Sequence, residues 1–492
     1  MYANKLGGTL THDEIALGLT DVAQEHHADI RPETTSPYGL HNPRPDAADL
    51  GLVFFPAFDW KISETHPERQ ERLLYTRDQL LEEGIFDLPG IREYNPLVAS
   101  DADIARVHVG APSLADWVTD AHRVSAGGAI AAADAVLKGE AKRAFALVRP
   151  PGHHAMEMVH GIRGFCTVNI EAIMVAHMRQ KYGIKKVAIV DTDVHHGDGS
   201  QDVFYHDPDT LYISFHQDGR TLYPGTGFMD EFGGPQAVGA NVNIPLPPGT
   251  GDEGLLKVMQ ELVLPMLEDF QPEMIINSAG QDNHFSDPLA NMQVTAQGYA
   301  KIAELLKADI AVLEGGYSVQ AALPYVNTGI ILSMAGLDYS HVVEPQFDAA
   351  LYKQRADVRA YIDDLIVKWK DQWAQRGAMQ EAARQKWGDL WRHQRSVYYD
   401  ETGIQEERVE AIRLYPDQPG RLGWHKVESI GRGGPYGTQR VWAIFVPWQA
   451  DEDTRQEAHD LYEEAQNKGG FDRYVLVDPS LAEGQIASDG KW

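Results

Sequence analysis

The chain has 492 residues, of which 43% are hydrophobic and 23% are charged, and these values are ordinary for a globular protein. Its formal net charge is −29, which excludes binding to nucleic acid by electrostatic attraction alone. The same charge would attract a cationic small molecule or a lysine-rich peptide, although it also fits simple solubility. The length predicts one large α/β domain with an appendage.

Cysteine usage and hydropathy indicate the compartment. The single cysteine, Cys166, excludes an intramolecular disulfide framework and is typical of a reducing cytoplasm. The first residues lack the basic-then-apolar pattern of a secretion signal, and no apolar run reaches transmembrane length. We therefore expect a cytoplasmic protein without a membrane segment.

Residues 1–50 are expected to form an N-terminal arm, with a short helix and a proline-rich loop. The pair His26-His27 in this arm is interpreted as a surface feature rather than as a pair of metal ligands. Residues 52–55 form a short predicted strand, and a helix should begin near Glu71. The alanine-rich residues 113–139 predict a closely packed helix.

From residue 145 onward, apolar strands alternate with helical segments, and each strand ends in polar or glycine-rich sequence. The predicted strands are residues 145–148, 187–190, 211–213, 274–276 and 310–313, and the helices include residues 172–182, 252–269 and 295–307. This alternation predicts an α/β fold, an open parallel sheet with helices on both faces. In such sheets ligands bind beyond the carboxyl ends of the strands, where the candidate functional residues also fall.

The stretch Asp191–Gly199, which reads Asp-Thr-Asp-Val-His-His-Gly-Asp-Gly, follows one of these apolar strands. Carboxylates and imidazoles at the end of a buried strand need compensation for their desolvation, and a divalent metal ion is the usual source. Asp193 and His195 point to the same side of an extended chain and are ligand types that a catalytic zinc accepts. Asp282 is the best third ligand. His284 and His196 compete for that place, and His196 ranks lower because it points to the opposite side.

His153 and His154 follow Arg149-Pro-Pro-Gly at the end of another strand. Hydrolysis of an amide needs a group that takes a proton from water and then protonates the leaving amine, and histidine titrates in the suitable range. Asp191 and Asp198 could bond the second nitrogen of each imidazole. A purely structural pair of histidines is the alternative.

Tyr317 follows Glu314-Gly-Gly, where two glycines let the chain turn and direct the phenol inward. Its hydroxyl could stabilise the oxyanion of a tetrahedral intermediate, although most tyrosines after a turn serve packing. Phe165 and Tyr223 could wall a narrow apolar channel or could pack in the core.

Taken together, the motifs of residues 53–336 resemble those of the histone deacetylase superfamily, and they are most similar to its class II-like and bacterial members. The strings that match are His66-Pro-Glu-Arg69, Arg149-Pro-Pro-Gly-His-His154, Gly164-Phe-Cys166, Asp191–Gly199, Tyr223-Pro-Gly-Thr-Gly227, Ser278-Ala-Gly-Gln-Asp282, Asp287-Pro-Leu289 and Glu314-Gly-Gly-Tyr317. The resemblance implies the arginase/deacetylase fold and the zinc-dependent removal of an acyl group, such as acetyl, from an amine by attack of a metal-bound water.

The resemblance also implies a role for each site residue. It implies that the zinc ligands are Asp193, His195 and Asp282, that His154 is the main general base and acid with His153 as its electrostatic partner, and that Asp191 and Asp198 are the carboxylate partners of His153 and His154. Tyr317 would polarise the carbonyl group, and the substrate channel would be lined by Gly164, Phe165, Tyr223 and Leu289. A structural potassium ion would be bound by Asp191, Asp193, His195, Ser214 and Phe215. Two carboxylates and one imidazole would also accept Fe²⁺ or Co²⁺ in place of Zn²⁺.

Three departures from the family pattern concern the substrate. The usual Phe-Asp-Ala is here Gln281-Asp282-Asn283, whose polar neighbours we expect to alter the rim of the channel, and Tyr223 stands where phenylalanine is commoner. The compact segment between His108 and Gly127 offers no place for the rim aspartate that grips the substrate backbone in family members. These departures weigh against a histone-like peptide substrate but not against hydrolysis.

The sequence therefore predicts a zinc-dependent amidohydrolase that acts on an acyl-lysine side chain or on a small N-acyl amine. An acetylpolyamine amidohydrolase is the alternative, and a catalytically silent acyl-amine-binding protein is the second alternative. No direct contact with nucleic acid or membrane is expected.

The domain prediction places a deacetylase domain at residues 51–340, a helical segment at 341–400 and a small α+β appendage at 401–492. Within the appendage we expect strands near residues 409–414, 442–446 and 474–477, around a helix near residues 452–466. The tryptophans of the helical segment look exposed in the sequence and include Trp369, Trp373, Trp387 and Trp391. They suggest a homo-oligomer contact or a cover over the active site.

Overall fold

The computed structural model describes residues 44–55, 57, 60–345, 347–350 and 352–492. Most of the predicted N-terminal arm, including His26-His27, lies outside the described residues. Within the described ranges, no helix combines the length and the apolar character that crossing a membrane would require.

A parallel sheet of eight strands forms the centre of the protein. Its strands are β1 (Leu50–Phe55), β2 (Ile91–Tyr94), β4 (Ala144–Val148), β6 (Val187–Asp191), β7 (Thr210–Gln217), β8 (Asn241–Leu246), β9 (Met274–Ser278) and β10 (Ile310–Val312). Their spatial order is β2-β1-β4-β10-β9-β6-β7-β8, and every neighbouring pair is parallel. Two short strands, β3 (Val109–Gly110) and β5 (Met158–Val159), pair separately.

Helices cover both faces of this sheet, which confirms the predicted fold class. They are α1 (Glu71–Glu82), α2 (Asp101–Ala105), α3 (Asp120–Leu137), α4 (Ile170–Tyr182), α5 (Asp198–Phe204), α6 (Asp252–Val258), α7 (Leu264–Phe270), α8 (Ala296–Leu306) and α9 (Leu323–Met334). A π-helical segment (Met259–Val263) joins α6 to α7.

Alternate residues of each strand pack against opposite layers of helices. In β6, Val187 and Ile189 belong to the core shared with α3 and α4, whereas Ala188 and Val190 belong to the core on the other face, with α8 and α9. Because such a strand is buried on both faces, its sequence is an uninterrupted apolar run, and this pattern made it recognisable.

Two strands of the sheet were missed by the sequence analysis, and both lie at an edge. β2 reads Ile-Arg-Glu-Tyr and is partly exposed, while β8 contains Pro245. An edge strand tolerates polar residues and proline because one side of its backbone pairs with no neighbour. Neither strand therefore shows the apolar pattern of the central ones.

The C-terminal residues form a second, mixed sheet of six strands. The strands are β11 (Leu390–Tyr399), β12 (Ile404–Arg413), β13 (His425–Gly433), β14 (Gln439–Phe445), β15 (Arg473–Val477) and β16 (Gln485–Ala487), in this spatial order. Only β14 and β15 pair in parallel, and the helix between them, α11 (Glu452–Lys468), packs on both. The predicted α+β character of this region is confirmed.

The expectation of helix up to residue 400 was wrong at its end. The long helix α10 spans Ala356–Trp387, and Gly388, with a φ of +59°, breaks it. The chain then enters β11, where Val397 and Tyr399 are buried on one side, so Trp391 lies on a strand rather than on a helix. Glycine accepts this positive φ without the steric cost that other residues incur.

A buried ion network joins the C-terminal sheet to α5 of the central domain. Arg408 on β12 donates from Nη1 to both oxygens of Asp202, at 3.0 and 2.9 Å, and from Nε to Glu406 at 2.9 Å. Arg395 on β11 donates to Asp202 and, at 2.8 and 3.0 Å, to Glu410. Asp202 thus connects two strands of the second sheet to a helix of the first.

The long helix α10 also packs on the central domain. Trp369, which looked exposed in the sequence, is completely buried, and its ring centroid lies 5.6 Å from that of Phe232. It belongs to the same core as α8 and α9. Trp369 is therefore a packing residue of the monomer and is not available for contacts between subunits.

Replacement of Trp369 by alanine should lower the free energy of unfolding by about 3–5 kcal/mol, because it leaves a cavity in this core. The matched control on the same helix is Val367→Ala, at a side chain that is 66% exposed, which should change stability by no more than about 0.5 kcal/mol. Thermal unfolding followed by circular dichroism measures both. Equal melting temperatures of the two variants would contradict the packing of α10.

Candidate active site

Four adjacent strands bring the candidate residues to one edge of the sheet. The strands β4, β10, β9 and β6 are consecutive neighbours and parallel, so the loops that follow them share an edge. The histidine pair follows β4, and Tyr317 follows β10. Asp282 follows β9, and the Asp191–Gly199 stretch begins at the end of β6. The parallel topology thus gathers residues that are far apart in sequence.

Asp193, His195 and Asp282 form a buried cluster of side chains that could hold a metal ion. One possible ligand atom from each lies within 4.8 Å of the other two. His195 Nδ1 lies 3.1 Å from Asp193 Oδ1 and 3.1 Å from Asp282 Oδ2. The other oxygen of each carboxylate accepts a hydrogen bond from the backbone. The Gly315 N–H donates to Asp193 Oδ2, and the Val194 N–H donates to Asp282 Oδ1, each at 2.8 Å. Two carboxylates and one imidazole form a ligand set that suits zinc.

The electrostatics of this cluster favour a positive charge. Burial raises the pKa of Asp282, and the neighbouring Asp193 raises it further. Burial alone would lower the pKa of His195, but Asp193 and Asp282 outweigh burial and raise it to about 10. The two carboxylates therefore hold a proton on His195, and a bound divalent cation would supply the same compensation. The residues present thus fit a metal ion.

Two histidine–aspartate pairs lie beside the cluster. His153 Nδ1 is 3.1 Å from Asp191 Oδ2, and His154 Nδ1 is 2.7 Å from Asp198 Oδ1. His153 Nε2 is 3.7 Å from Asp193 Oδ2, and the His154 ring centroid is 6.0 Å from that of His195. Each imidazole is thus fixed through Nδ1 and lies next to the metal-binding residues.

The two imidazoles differ in charge. Burial lowers the pKa of His153, but Asp193 and Asp191 outweigh burial and raise it well above the ordinary value. For His154, burial and the positive charge of His153 together lower the pKa to about 3, despite Asp198. One ring is therefore cationic and its neighbour is neutral.

Tyr317 turns inward at the end of β10. The preceding Gly316 has a φ of +120°, a conformation that strains other residues, and the Tyr317 N–H donates to Asp287 Oδ2 at 2.7 Å. Asp287 also accepts the N–H of Leu289 at 2.9 Å. The guanidinium carbon of Arg72 lies 4.9 Å from the Tyr317 ring centroid. The position of the phenol is therefore defined by backbone and side-chain contacts.

The predicted channel residues contact these groups. Gly164 has a φ of +51°, and a Cβ at this position would lie 2.3 Å from the His154 ring, so only glycine fits. The Tyr223 ring centroid is 5.2 Å from that of His154, and the Phe165 ring meets Tyr317 edge-on at 5.5 Å. The aromatic side chains thus lie beside the histidine pair and the tyrosine.

The competing histidines do not join the metal-binding cluster. His196 bonds Thr226 Oγ1 at 2.8 Å and Gln201 Oε1 at 3.1 Å. His284 bonds Glu344 at 2.8 Å through Nε2 and a serine hydroxyl at 2.8 Å through Nδ1. Since both nitrogens of each ring have protein partners, these residues have structural roles.

The residues predicted to bind potassium lie on two neighbouring strands. Asp191 at the end of β6 is opposite Ser214 of β7, and Phe215 follows in the same strand. The Ser214 hydroxyl bonds His216 Nδ1 at 2.8 Å. The potassium site stays a prediction.

The polar neighbours of Asp282 do not reach the rim, contrary to expectation. Gln281 and Asn283 are completely buried. The Gln281 amide donates to the side chain of Asn327, and the Asn283 amide donates to the backbone oxygen of Thr192 at 2.8 Å. Both side chains thus use their amide nitrogens in hydrogen bonds inside the protein.

The sequence analysis missed a buried ion network that positions the Tyr317 loop. Glu68 accepts from Arg72 at 3.0 Å and from Arg149 at 2.8 Å, and all three are buried. Arg72 Nε in turn donates to the backbone oxygen of Gly316 at 2.7 Å. The string His66-Pro-Glu-Arg69 was recognised, but its partners lie in other segments and no local pattern identified them.

A contact between the C-terminal sheet and the predicted channel residues was not predicted from the sequence either. Asp400, in the turn between β11 and β12, accepts from the Tyr223 hydroxyl at 3.0 Å and from the Gly164 N–H at 3.2 Å. Arg163 bonds Asp198 at 2.8 Å and the backbone oxygen of Tyr398. The second sheet therefore borders the histidine pair.

The central part of the chain is similar in sequence to known proteins. The family model described as histone deacetylase domain matches residues 113–331. A protein of Archaeoglobus fulgidus named "Probable deacetylase" is 46% identical over 324 residues, which are 60% of this chain and 89% of that protein. The "Histone deacetylase-like amidohydrolase" of Pseudomonas aeruginosa is 36% identical over 267 residues, which are 49% of this chain and 69% of that protein.

A solved structure is similar in fold and in sequence. The crystal structure of the HDA15 HD domain aligns with a TM-score of 0.58 and 28% identity, and the alignment covers 68% of this chain and 98% of that chain. The residues that the family model matches include the metal-binding cluster, the histidine pair and Tyr317. The C-terminal sheet lies beyond them.

Proposed function

Because the chain belongs to the histone deacetylase superfamily, we propose that it is a zinc-dependent amidohydrolase that removes an acyl group from an amine. Membership of the family supports a deacetylase or amidohydrolase activity. The observation that most supports the zinc-dependent mechanism is the placement of two histidine–aspartate pairs beside the Asp193, His195 and Asp282 cluster.

Asp193, His195 and Asp282 would hold the metal ion. Their two carboxylates and one imidazole suit Zn²⁺ and would also accept Fe²⁺ or Co²⁺. When bound, the ion would lower the pKa of a water molecule and polarise the acyl carbonyl.

His154 is the proposed general base and acid. Its ring is neutral, and Asp198 bonds Nδ1, so Nε2 is left to take a proton from the attacking water. The same nitrogen then gives the proton to the amine as the C–N bond breaks, which yields a carboxylic acid and a free amine. His153, which Asp191 fixes through Nδ1, is the proposed electrostatic partner of His154.

Tyr317 is the proposed donor to the acyl oxygen. Burial raises the pKa of Tyr317 well above its ordinary value although Arg72 opposes this effect, so the phenol keeps its proton. A donor that is already fixed by the Asp287 and Arg72 contacts stabilises the oxyanion without reorganisation.

The carboxylates at the turn after β11 favour a cationic substrate. Asp400 contacts Tyr223 and Gly164, and Glu401 lies 3.5 Å from His66 Nε2 with 22% of its side chain exposed. We propose that Asp400 takes the place of the rim aspartate that the segment before Gly127 does not supply. With the net charge of −29, this supports an acetylated polyamine as a second candidate substrate beside acyl-lysine.

Further properties rest on the sequence and on the family. A structural potassium ion is proposed beside Asp191 and Ser214, which face each other across β6 and β7. The proposed domains are kept, with a helical segment and a C-terminal appendage after residue 340, but the boundary between these two moves from residue 400 to Gly388. A cytoplasmic location and a homo-oligomeric state remain predictions.

The zinc-loaded protein should release free amines from acetyl-lysine peptides and from acetylated polyamines, with the higher kcat/KM on the small cationic substrates. A fluorescamine assay of the released amine measures both classes in one panel. Zinc bound at full occupancy together with no turnover of any acyl-amine would contradict the enzymatic proposal and would favour a silent acyl-amine-binding protein.

Tyr317→Phe should lower kcat by about 10²–10³-fold, because the oxyanion loses one fixed donor, while KM changes little. Zinc content, measured by inductively coupled plasma mass spectrometry, should equal that of the wild type. Tyr325→Phe makes the same chemical change at a half-buried position of α9 and should be neutral. Loss of zinc in Tyr317→Phe would show that its assigned role is wrong.

Asp400→Asn should lower kcat/KM for acetylspermidine about tenfold, equivalent to about 1.4 kcal/mol, because one negative charge is lost while an acceptor for Tyr223 remains. The neutral substrate N-butylacetamide should be hydrolysed with kcat/KM unchanged within about twofold. Glu407→Gln, at a half-buried residue of β12, is the control and should leave kcat/KM for both substrates unchanged. Equal losses for both substrates would mean that Asp400 only positions Tyr223.

A further inference from the structure

A second cluster of metal-binding side chains lies where the C-terminal sheet meets the central domain. It consists of His206, which follows α5, Glu410 on β12 and His425, the first residue of β13. One possible ligand atom from each lies within 4.8 Å of the other two. Glu410 and His425 are buried and His206 is half-buried. Glu410 and His425 lie beyond the residues that the family model matches.

Several polar atoms at this cluster are buried without a hydrogen-bond partner among the described residues. They include Nε2 of His425, which is 7% exposed, and Oε2 of Glu157. The other ring nitrogen of His425, Nδ1, lies 3.5 Å from that Glu157 oxygen. Burying such atoms costs free energy unless a ligand or an ion compensates.

The charges around the cluster leave a deficit of positive charge. Three buried carboxylates, those of Asp202, Glu406 and Glu410, share the guanidinium groups of Arg395 and Arg408, so the formal charge of this network is −1. Burial and the charge of Asp202 raise the pKa of the nearby Glu157 well above its ordinary value, because further negative charge is unfavourable at this place. A bound cation would relieve both effects.

A cavity next to the cluster gives access for an ion. Its volume is about 110 Å³, and His206, His425, Glu157 and Gln236 contribute to its lining. This volume is enough for an ion together with water molecules. The site thus combines ligands, a charge deficit and an entry path.

We propose that His206, Glu410 and His425 bind a second zinc ion, which joins the C-terminal sheet to the central domain. Two imidazoles and one carboxylate are a known zinc ligand set. Nδ1 of His425 faces Oε2 of Glu157 at 3.5 Å, which leaves Nε2 for the ion. Arg395 bonds Oε1 of Glu410 at 2.8 Å and leaves Oε2 for the ion.

The position of this site gives the ion a structural role. Helix α5 begins at Asp198, which bonds His154, and continues through Asp202, which bonds Arg408. His206 follows the end of the same helix. An ion at this end therefore fixes the sheet that supplies Asp400 relative to the helix that orients His154.

The zinc content of the full-length protein tests the proposal. After dialysis against Zn²⁺ and removal of free metal, mass spectrometry should find two zinc ions per chain in the wild type and one in His425→Gln. The control His459→Gln, on α11 with a side chain 35% exposed, should retain two. One zinc in the wild type and an unchanged value in His425→Gln would overturn the proposal and would mean that water or protons satisfy these groups.

A second measurement separates this site from the catalytic one and from misfolding. Asp282→Asn removes a ligand of the catalytic cluster only, so Co²⁺ added to the metal-free variant should report the second site by its visible absorption. This absorption should disappear when His206→Gln is added, while the circular dichroism spectrum stays the same. No visible absorption in Asp282→Asn would overturn the proposal. Neither readout depends on turnover, so failure of the proposed activity leaves this test intact.

Discussion

Two buried carboxylates that face one imidazole set the main constraint on this protein. Asp193 and Asp282 each lie 3.1 Å from His195 Nδ1 and are completely buried. Burial and mutual repulsion both disfavour two negative charges in one buried cluster, so a proton on His195 or a bound cation would stabilise it. Backbone N–H groups hold the second oxygen of each carboxylate, and this requires the loops after β6, β9 and β10 to keep their register. The sheet provides that register.

The surroundings of the histidine pair extend this constraint to the rest of the chain. Arg163 bonds both Asp198, the partner of His154, and the backbone of Tyr398 in the second sheet. Asp400 of that sheet bonds Tyr223 beside the same histidine. The C-terminal region is therefore bonded to Arg163 and Tyr223, which surround the proposed base, and the charge of its turn supports the proposed preference for a cationic amine.

Predictions from the sequence were most accurate for strands that are buried on both faces of the sheet, and least accurate for segments that are partly exposed. Strands such as β6 are buried on both faces and show continuous apolar runs, whereas the edge strands β2 and β8 do not, and they were missed. The change from helix to strand at Gly388 was missed because most of the residues that follow it are exposed or half-buried and show no strong apolar pattern. Trp369 looked exposed in the sequence but is buried, since burial depends on how α10 docks.

The sequence by itself determined the fold class and the motifs of the site, because strand periodicity, the spacing of Asp193 and His195 and the strings shared with a known family are local properties. The tertiary structure alone decided which distant side chains meet. Asp400 and Tyr223 are 177 residues apart, and Arg72 and Gly316 are 244 apart. The cluster of His206, Glu410 and His425 likewise depends on how two sheets pack. Such contacts follow from strand order and from the docking of one layer on another, and no local pattern of residues encodes either.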